Sequence, residues 1–303
     1  MSTGQYGINF YNINDKVMKK VIILGTPGIL GHIVYVFFKD LGKYELTYIS
    51  YPHKLRDSND SIDLSDQNAV RNYIKSEQPD VLINCAAVLI QESIQNPAKA
   101  IFINSFLPHF LSDVLHESGG RLIHKSTDCV FSGMKGPYTE SDFPDETSIY
   151  GRSKALGEIN NATDLTIRTS IVGPDLNQKG DGLFNWFMHQ KGHIKGYTKA
   201  FWSGLSALEM ARAFDAAIEQ NITGLYHLAP AEKISKYELL LLFKKIWHCK
   251  DIEIEPYESK IVDKSLVSNR TDFVYMPPSY EPMLMELENF MLTRKSIYSH
   301  YYV

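Results

Sequence analysis

The sequence lacks the features that define several large classes of protein. Its 303 residues include only three cysteines, too few for a disulfide framework, which favours a reducing cytoplasm. The net charge is −4 and no segment is densely basic, so we do not expect nucleic-acid binding. The longest apolar stretches, such as Leu239–Phe243, are far shorter than the ~20 residues that span a bilayer. We therefore expect a cytoplasmic globular protein that binds neither nucleic acid nor a membrane.

Common metal and triphosphate motifs are also missing. The sequence contains no Gly-x-x-x-x-Gly-Lys-Ser/Thr loop, no Cys-x-x-Cys pair and no His-Glu-x-x-His segment. His189 and His193 are four residues apart, but the neighbouring Gly192 and lysines are typical of a solvated pair. We expect no metal site.

What the sequence does contain is an alternation of short β-branched runs and longer amphipathic segments. Residues 1–17 show no periodicity, and we interpret them as a tag or loose extension. The predicted strands are Lys20–Leu24, Tyr44–Ser50, Asp80–Asn84, Arg121–Ser126, Leu165–Thr169 and Gly224–Leu228. The predicted helices are Gly28–Lys39, Ser65–Glu77, Pro97–Glu117, Ala207–Glu219, one that starts at Ser235, and Pro282–Phe290.

This alternation predicts an α/β fold with a doubly wound parallel sheet. We place the main nucleotide-binding domain at residues 18–172, with later segments returning to it. Residues 173–303 are expected to form mainly a smaller substrate-binding lobe that cannot make a parallel sheet of its own. Such a lobe would pack at the carboxyl edge of the sheet, where open α/β folds bind ligands.

A glycine-rich turn follows the first predicted strand. Gly25, Gly28 and Gly31 are spaced Gly-x-x-Gly-x-x-Gly. Such a turn lets a pyrophosphate approach the backbone at the start of a helix, which predicts a dinucleotide cofactor bound there, with Ile29 and Leu30 in the turn. Tight packing between strand and helix would explain the same glycines.

The end of the second strand bears on the choice of cofactor. An acidic residue ~20 residues past the glycines would bind the ribose of NAD, but from Tyr48 on no acid occurs before Asp57. Ser50, His53, Lys54 and Arg56 stand there instead and would suit a 2′-phosphate, which favours NADP(H) over NAD(H). An ordinary basic surface turn accounts for these residues equally well.

Tyr150 and Lys154 are one helical turn apart and would share a helix face. A nearby ammonium lowers the pKa of a phenol, as a general acid requires. Tyr35 and Lys39 repeat the spacing inside the first helix, where we expect no catalytic role. Thr127 follows the fourth strand at the carboxyl edge of the sheet, where its hydroxyl would hydrogen-bond a substrate carbonyl.

A longer pattern surrounds these residues. Ser126-Thr-Asp-Cys-Val-Phe-Ser-Gly133 is followed by Pro137-Tyr-Thr-Glu140, Pro144 and Tyr150-Gly-x-Ser-Lys-x-x-Gly-Glu158. The chain thereby resembles the extended short-chain dehydrogenase/reductase superfamily, and within it the dTDP-4-dehydrorhamnose reductase family, from about Lys19 to Gly173. The resemblance implies a Rossmann-like fold. It also implies an NAD(P)H-dependent reductase of a nucleotide-activated 4-keto-6-deoxy sugar, which makes a deoxysugar nucleotide for surface polysaccharide.

The resemblance also implies roles for individual residues. The catalytic residues are Thr127, Asp128, Tyr150 and Lys154. The cofactor-binding residues are Gly25, Gly28, Ile29, Leu30, Gly31, Ser50, His53, Lys54, Arg56, Asp63, Leu64, Ala86, Ala87, Asn104, Tyr150 and Lys154. The substrate-binding residues are Val88, Phe131, Ser170 and Trp202. Cys129, Ser132 and Ile171 depart from the family pattern near the sugar, so the exact substrate stays open.

Two alternatives remain open at this point. One is a sugar-nucleotide epimerase or dehydratase that keeps NAD bound throughout its cycle. The other is a non-catalytic NADP-binding regulatory subunit, since a regulatory subunit of methionine adenosyltransferase resembles this family. The presence of both Tyr150 and Lys154 argues against the second alternative. We expect a nucleotide-sugar partner and a possible homodimer.

Overall fold

The computed structural model of the protein describes residues 18–50, 62–178 and 180–302. The strands within these residues are β1 (Lys20–Leu24), β2 (Glu45–Ile49), β3 (Val81–Asn84), β4 (Arg121–Ser126), β5 (Leu165–Arg168), β6 (Ile171–Val172), β7 (Gly192–Tyr197), β8 (Ala200–Trp202), β9 (Leu205–Ser206), β10 (Gly224–His227), β11 (Ile234–Ser235), β12 (Ile252–Tyr257) and β13 (Val262–Asp263). Residues 1–17, His53, Lys54 and Arg56 lie outside the described residues.

The α-helices of the same residues are α1 (Gly31–Leu41), α2 (Gln67–Glu77), α3 (Ile90–Gln95), α4 (Pro97–Ala100), α5 (Leu107–Glu117), α6 (Ile149–Leu156), α7 (Leu183–Met188), α8 (Ala207–Glu219), α9 (Lys236–Ile246) and α10 (Tyr280–Leu292). A π-helical segment, Ile101–Phe106, joins α4 to α5, so the helix predicted over Pro97–Glu117 forms in three parts. No helix in the described residues is both long enough and apolar enough to cross a membrane.

Six parallel strands form the central sheet in the order β2-β1-β3-β4-β5-β10. The chain runs from β1 outward to β2 and then returns to place β3 on the other side of β1. The carboxyl ends of β1 and β3 therefore border a topological switch point, where open α/β sheets bind ligands. The predicted doubly wound parallel sheet is confirmed.

Strand β1 shows why the sheet is buried on both faces. Val21 and Ile23 belong to the hydrophobic core on one face of the sheet, whereas Ile22 and Leu24 belong to the core on the other. All four side chains are fully buried, because successive residues of a strand point to opposite faces. A continuous apolar run is thus the pattern of a central parallel strand, as predicted.

Helices cover both faces of the sheet. The first core is closed by α1, α8, α9 and α10, which contribute Ile33, Phe214, Phe243 and Leu287 among others. The second core is closed by α2 and α5, which contribute Ile74 and Leu111 among others. The first core combines residues from both halves of the chain. The C-terminal helices α8, α9 and α10 therefore help to position α1 and the turn that joins it to β1.

The C-terminal third differs from its prediction in one respect. It forms parallel pairs of strands of its own, β12 with β7 and β13 with β8, although we expected no parallel sheet there. Short strands brought together by distant helices leave no local pattern that predicts their pairing. Strand β10 returns to the main sheet beside β5, and the capping box at the start of α9 is present. The division at residue 172 stays a prediction.

Candidate active site

Two glycines of the turn after β1 are required by packing. Gly25 has a φ of +91°, and a Cβ there would lie 2.7 Å from the backbone nitrogen of Ala86 after β3. A Cβ on Gly31 would lie 2.2 Å from the carbonyl oxygen of Gly25. Both positions therefore exclude a side chain for structural reasons. Tight packing between strand and helix explains these two glycines without any cofactor.

Gly28 is different. Its φ is not positive, and a Cβ there would meet only the carbonyl oxygen of Gly25, at an ordinary 3.4 Å, among the described residues. The turn is exposed at Gly28, and no side chain caps the amino end of α1. Space beside the backbone, together with the amide donors of an uncapped helix, is what a pyrophosphate needs. These residues fit a dinucleotide cofactor.

The other residues of the turn connect it to the rest of the site. A Cβ on Gly182 would lie 2.8 Å from the side chain of Ile29, so the turn contacts the loop that precedes α7. Leu30 is buried in the core. His32 is buried behind the turn, with Nδ1 donating to the carbonyl oxygen of Gly28 at 2.8 Å and Nε2 accepting from the hydroxyl of Tyr298 at 3.1 Å. Burial lowers the pKa of His32 to about 4.

The residues predicted to choose the cofactor are described only in part. Ser50 is buried at the end of β2, with its hydroxyl 3.4 Å from that of Thr26. Asp63 is exposed, and its carboxylate accepts from the backbone nitrogen and hydroxyl of Ser65 at 2.9 and 2.7 Å, which lowers its pKa. Leu64 is fully buried beside it. The preference for NADP(H) stays a prediction.

The wall of the crevice on the β3 side is held by Asn104. Its amide oxygen accepts from the backbone nitrogen of Val88, and its amide nitrogen donates to the carbonyl oxygen of Val88, both at 2.9 Å. The same nitrogen donates to the hydroxyl of Ser153 at 3.1 Å. Asn104 and Val88 are fully buried, Ala86 is buried and Ala87 is half-buried. Asn104 thus ties the segment after β3 to α6.

Helix α6 presents the predicted tyrosine and lysine as expected. It begins after Ser148, whose side chain accepts from the backbone nitrogen of Gly151 at 3.2 Å. Tyr150 is in the first turn and Lys154 in the last, four residues on, so both point to one face. Both are buried, at 8% and 1% exposed.

The residues after β4 meet this helix at the carboxyl edge of the sheet. Thr127 and Asp128 are 3% and 4% exposed, and the Thr127 hydroxyl donates to the Asp128 carboxylate at 3.2 Å. Burial raises the pKa of Tyr150, and the nearby side chain of Thr127 opposes this shift only in part. The lowering that we expected from Lys154 is not found, and the phenol keeps its proton at neutral pH.

Lys154 belongs to a buried hydrogen-bonded chain that the sequence analysis did not predict. Its Nζ donates to the carbonyl oxygen of Lys125 at 2.9 Å and lies 3.3 Å from Nε2 of His124. Nδ1 of His124 lies 3.2 Å from the amide nitrogen of Asn84, whose oxygen accepts from the backbone nitrogen of Ala86 at 3.0 Å. Burial, reinforced by the charge of Lys125, lowers the pKa of Lys154 to about 7. The sequence signal for this contact was weak, because β4 reads Arg-Leu-Ile-His-Lys-Ser and His124 does not stand out among its polar residues.

An ion pair fixes the far side of the site. The carboxylate of Glu158 accepts from Nε and Nη2 of Arg168 at 2.8 and 2.6 Å and from the hydroxyl of Ser126 at 2.5 Å. Phe131 is fully buried, and its ring stacks on that of Tyr138 with the two centroids 4.1 Å apart. The guanidinium carbon of Arg168 lies 5.1 Å from the centroid of the Phe131 ring. Packing therefore accounts for Phe131, which the resemblance assigned to the substrate.

Ser170 and Trp202 lie close together beyond Arg168. A Cβ on Gly204 would lie 2.2 Å from the Trp202 ring and 2.4 Å from the carbonyl oxygen of Ser170. Ser170 is half-buried, and Trp202 is 2% exposed with Nζ of Lys236 4.9 Å from its ring centroid. Of the four predicted substrate residues, Ser170 and Trp202 lie together, and only Ser170 is not fully enclosed, since Trp202, Val88 and Phe131 are all buried. The described residues contain no cluster of three or more His, Cys, Asp or Glu side chains that could hold a metal ion.

The fold and its relatives define the class of the protein as an extended short-chain dehydrogenase/reductase. Within that class, the chain belongs to the family described as "RmlD substrate binding domain", whose model matches residues 18–267. The resemblance found in the sequence is thereby confirmed.

Curated relatives carry two kinds of name. The chain is 26% identical over 250 residues to methionine adenosyltransferase 2 subunit beta of Danio rerio, covering 77% of this chain and 76% of the relative. It is 34% identical over 162 residues to the spore coat polysaccharide biosynthesis protein SpsK of Bacillus subtilis, covering 51% of this chain and 54% of the relative. The first alignment is longer, and the second is closer in sequence.

Solved structures share the fold over most of the chain. A hypothetical dTDP-4-dehydrorhamnose reductase from Sulfolobus tokodaii is 27% identical, with a TM-score of 0.70 over 82% of this chain and 91% of its own. A dTDP-4-dehydrorhamnose reductase from Bacillus anthracis, solved with NADP, is 19% identical, with a TM-score of 0.75 over 90% and 99%. The Bordetella bronchiseptica enzyme WbmG, solved with NAD and UDP, is 15% identical, with a TM-score of 0.73 over 93% and 96%.

Proposed function

We propose that the protein is a nicotinamide-dependent reductase of a nucleotide-activated 4-keto-6-deoxy sugar. The observation that carries this proposal is the meeting of α6 with the end of β4. There the buried Tyr150 lies near the Thr127 side chain and one helical turn from the buried Lys154. This is the arrangement needed to polarise a carbonyl and protonate its oxygen.

Each residue has a defined task in this reaction. The Thr127 hydroxyl, which donates to Asp128 in this structure, turns its single proton to the carbonyl oxygen when substrate binds and so orients that oxygen. A bound dihydronicotinamide supplies the hydride to the carbonyl carbon. Tyr150 gives its phenolic proton to the carbonyl oxygen, so that the ketone becomes an alcohol and the nicotinamide is left oxidised. Lys154, on the same helix face, holds the nicotinamide ribose.

The glycine turn supports the cofactor part of the proposal. The backbone at Gly28 is accessible and α1 is uncapped, so the residues that would hold the pyrophosphate are available. Relatives by fold bind NADP in one case and NAD in another. We propose NADP(H) as the preferred cofactor on the basis of the sequence that follows β2, which has no acid before Asp57.

The comparisons support a sugar nucleotide as the substrate. Relatives of this fold are named as dTDP-4-dehydrorhamnose reductases, and a relative in sequence is named for polysaccharide biosynthesis. We propose a cytoplasmic role in supplying a deoxysugar nucleotide for surface polysaccharide. The possible homodimer stays a prediction.

One observation favours a different function. Alignments of 250 and 243 residues join the chain to subunit beta of methionine adenosyltransferase 2, which corresponds to the regulatory subunit considered above. Under that alternative the cofactor is bound without turnover. The presence of Tyr150 and Lys154, buried together beside Thr127, supports an enzyme instead.

The direct test is a panel of 4-keto sugar nucleotides, with oxidation of NADPH and NADH followed at ~340 nm. Tyr150→Phe keeps the buried ring but removes the proton donor, so we expect turnover to fall by about 10²–10⁴ with little change in cofactor affinity. Tyr35→Phe is the matched control, because Tyr35 is in α1, half-buried against Tyr48, in the same Tyr-x-x-x-Lys spacing.

The Tyr35 variant should retain normal turnover. Full reductase activity in Tyr150→Phe would refute the catalytic assignment. Tight NADPH binding by the unmodified protein, with no reduction of any substrate in the panel, would favour the regulatory subunit.

A further inference from the structure

The backbone of the glycine turn is held from behind by a buried histidine. The carbonyl oxygen of Gly28 accepts from Nδ1 of His32 at 2.8 Å. The backbone nitrogen of His32 lies 3.4 Å from the same oxygen, which is longer than an ordinary hydrogen bond of a helix. The imidazole therefore does most of the work of fixing this carbonyl group at the start of α1.

The orientation of this carbonyl group determines where the next amide points. The peptide bond between Gly28 and Ile29 is trans, so the N–H of Ile29 points in the opposite direction to the carbonyl group of Gly28. Since that carbonyl group points at the buried His32, the Ile29 amide points away from His32, beside the exposed Gly28. No backbone carbonyl of the described residues accepts from this amide. The Ile29 N–H is thus free to bind an anion.

The hydroxyl of Tyr298 supports the tautomer of His32 that this contact needs. It lies 3.1 Å from Nε2 of His32, and burial lowers the pKa of His32 to about 4, so the ring is neutral at pH 7. A neutral imidazole donates with one nitrogen and accepts with the other. The carbonyl group of Gly28 can only accept, so Nδ1 carries the proton and Tyr298 donates to Nε2.

The segment that carries Tyr298 is attached independently through Tyr301. The Tyr301 hydroxyl donates to Oδ1 of Asn185 at 2.6 Å and accepts from the backbone nitrogen of Asp175 at 2.8 Å. Both tyrosines lie beyond residue 267, where the match to the family model ends. Because Tyr301 keeps its own contacts, removal of the Tyr298 hydroxyl should leave the segment in place.

We propose that His32 and Tyr298 are positioning residues that aim the Ile29 amide at the pyrophosphate of the dinucleotide. This inference rests on the proposed function, and it adds the C-terminal segment to the cofactor site. Both side chains lie behind the turn and act through the peptide group between Gly28 and Ile29. A turn that is fixed before the ligand arrives binds it more tightly, because less conformational freedom is lost on binding.

The first measurement needs no cofactor. Nitrogen-15 NMR spectra distinguish the two tautomers of histidine, and the variant His32→Leu identifies the His32 signals among those of the ten histidines. We expect His32 to be neutral at pH 6, with the proton on Nδ1 and none on Nε2. A proton on Nε2 alone would overturn the proposal, because the ring could not then donate to Gly28.

Calorimetric titration of the full chain with NADPH measures the effect on binding. His32→Leu has a side chain of comparable volume but no donor, so we expect NADPH affinity to fall about 10-fold, the equivalent of one hydrogen bond. His32→Asn places an amide nitrogen near the position of Nδ1 and should restore part of the loss. Tyr298→Phe should weaken NADPH binding by a smaller factor, and it should have no effect in the His32→Leu background, since the hydroxyl acts only through His32.

Tyr302→Phe is the matched control. The Tyr302 hydroxyl belongs to the same segment and is buried without a hydrogen-bond partner in the described part of the chain. Its removal should leave NADPH affinity unchanged. Unchanged NADPH affinity in His32→Leu would overturn the proposal. Equal losses from Tyr298→Phe in both backgrounds would also overturn it, because Tyr298 would then act on general stability rather than through His32.

Turnover separates this inference from the proposed function. With an active enzyme, His32→Leu should raise KM for NADPH by about 10-fold and leave kcat and the KM for the sugar nucleotide unchanged. An unchanged KM for NADPH would overturn the positioning role and leave the reductase standing. NADPH binding that depends on His32, in a protein that reduces no sugar, would support the positioning role and overturn the reductase. An unmodified protein that binds neither NADPH nor NADH would overturn both.

Discussion

The buried Lys154 predicts an unusual dependence of stability on pH. Its pKa is lowered from the ordinary 10.5 to about 7 in the folded protein, because burial disfavours the ammonium and Lys125 repels it. The unfolded chain therefore binds more protons than the folded chain between these two values. Under these conditions the free energy of unfolding rises with pH, by up to about 1.4 kcal/mol per unit.

The magnitude follows from the two pKa values. Between pH 7 and pH 8.5 the folded lysine is largely neutral while the unfolded lysine stays charged, which adds about 1.5–2 kcal/mol to the free energy of unfolding. His124, whose pKa is held well below 6.5, contributes almost nothing in this window. The thiols of Cys85 and Cys129, with pKa values raised to about 12, oppose the rise only near and above the unfolded value of 9.

The assay is urea unfolding at several pH values, monitored by tryptophan fluorescence, on the unmodified protein and Lys154→Met. The variant should lose the pH-dependent increment of about 1.5–2 kcal/mol, whatever its absolute stability. Lys236, whose pKa is lowered to about 8, contributes a smaller increment of the same sign in both proteins. Replacement of the exposed Lys250 by methionine should leave the slope unchanged. An identical slope in the unmodified protein and Lys154→Met would refute the reasoning.

Two further predictions concern the cofactor. Gly28→Val should abolish dinucleotide binding in calorimetry and leave the circular dichroism spectrum unchanged, because the space beside Gly28 is open in the protein but needed by a pyrophosphate. Unchanged NADPH affinity in that variant would exclude the glycine turn as the binding site. NADPH should bind about 10- to 100-fold more tightly than NADH, since one good charge-assisted contact with the 2′-phosphate is worth roughly 1.5–3 kcal/mol. Equal affinities for NADPH and NADH would refute the prediction that basic residues after β2 bind the 2′-phosphate.

The parts of the fold predicted correctly are those in which local pattern and tertiary environment agree. Strand β1 forms at the predicted residues because its apolar side chains are buried on both faces. Helix α8 also forms at its predicted bounds, with Ser206 capping its start. Helix α1 begins at Gly31, three residues later than predicted, because the glycine turn occupies the preceding residues. A glycine-rich start does not show locally where the turn ends and the helix begins.

The sequence predicted those site residues that lie together in one short segment. It did not predict contacts between segments that are far apart in the chain. Tyr150 and Lys154 share one helix, so their spacing sufficed. The contact of His124 with Lys154 joins β4 to α6, and no spacing predicts it.

The protonation state of the site bears on the order of the steps in the reaction. Burial raises the pKa of Tyr150, so the phenol is protonated across the neutral range. A general acid works best with a pKa near the operating pH, but burial makes the Tyr150 phenol a weaker acid than free tyrosine. The phenol can still protonate the alkoxide that hydride addition creates, because the alkoxide is the stronger base. The burial of Tyr150 therefore places proton transfer after hydride addition to the carbonyl carbon rather than before it.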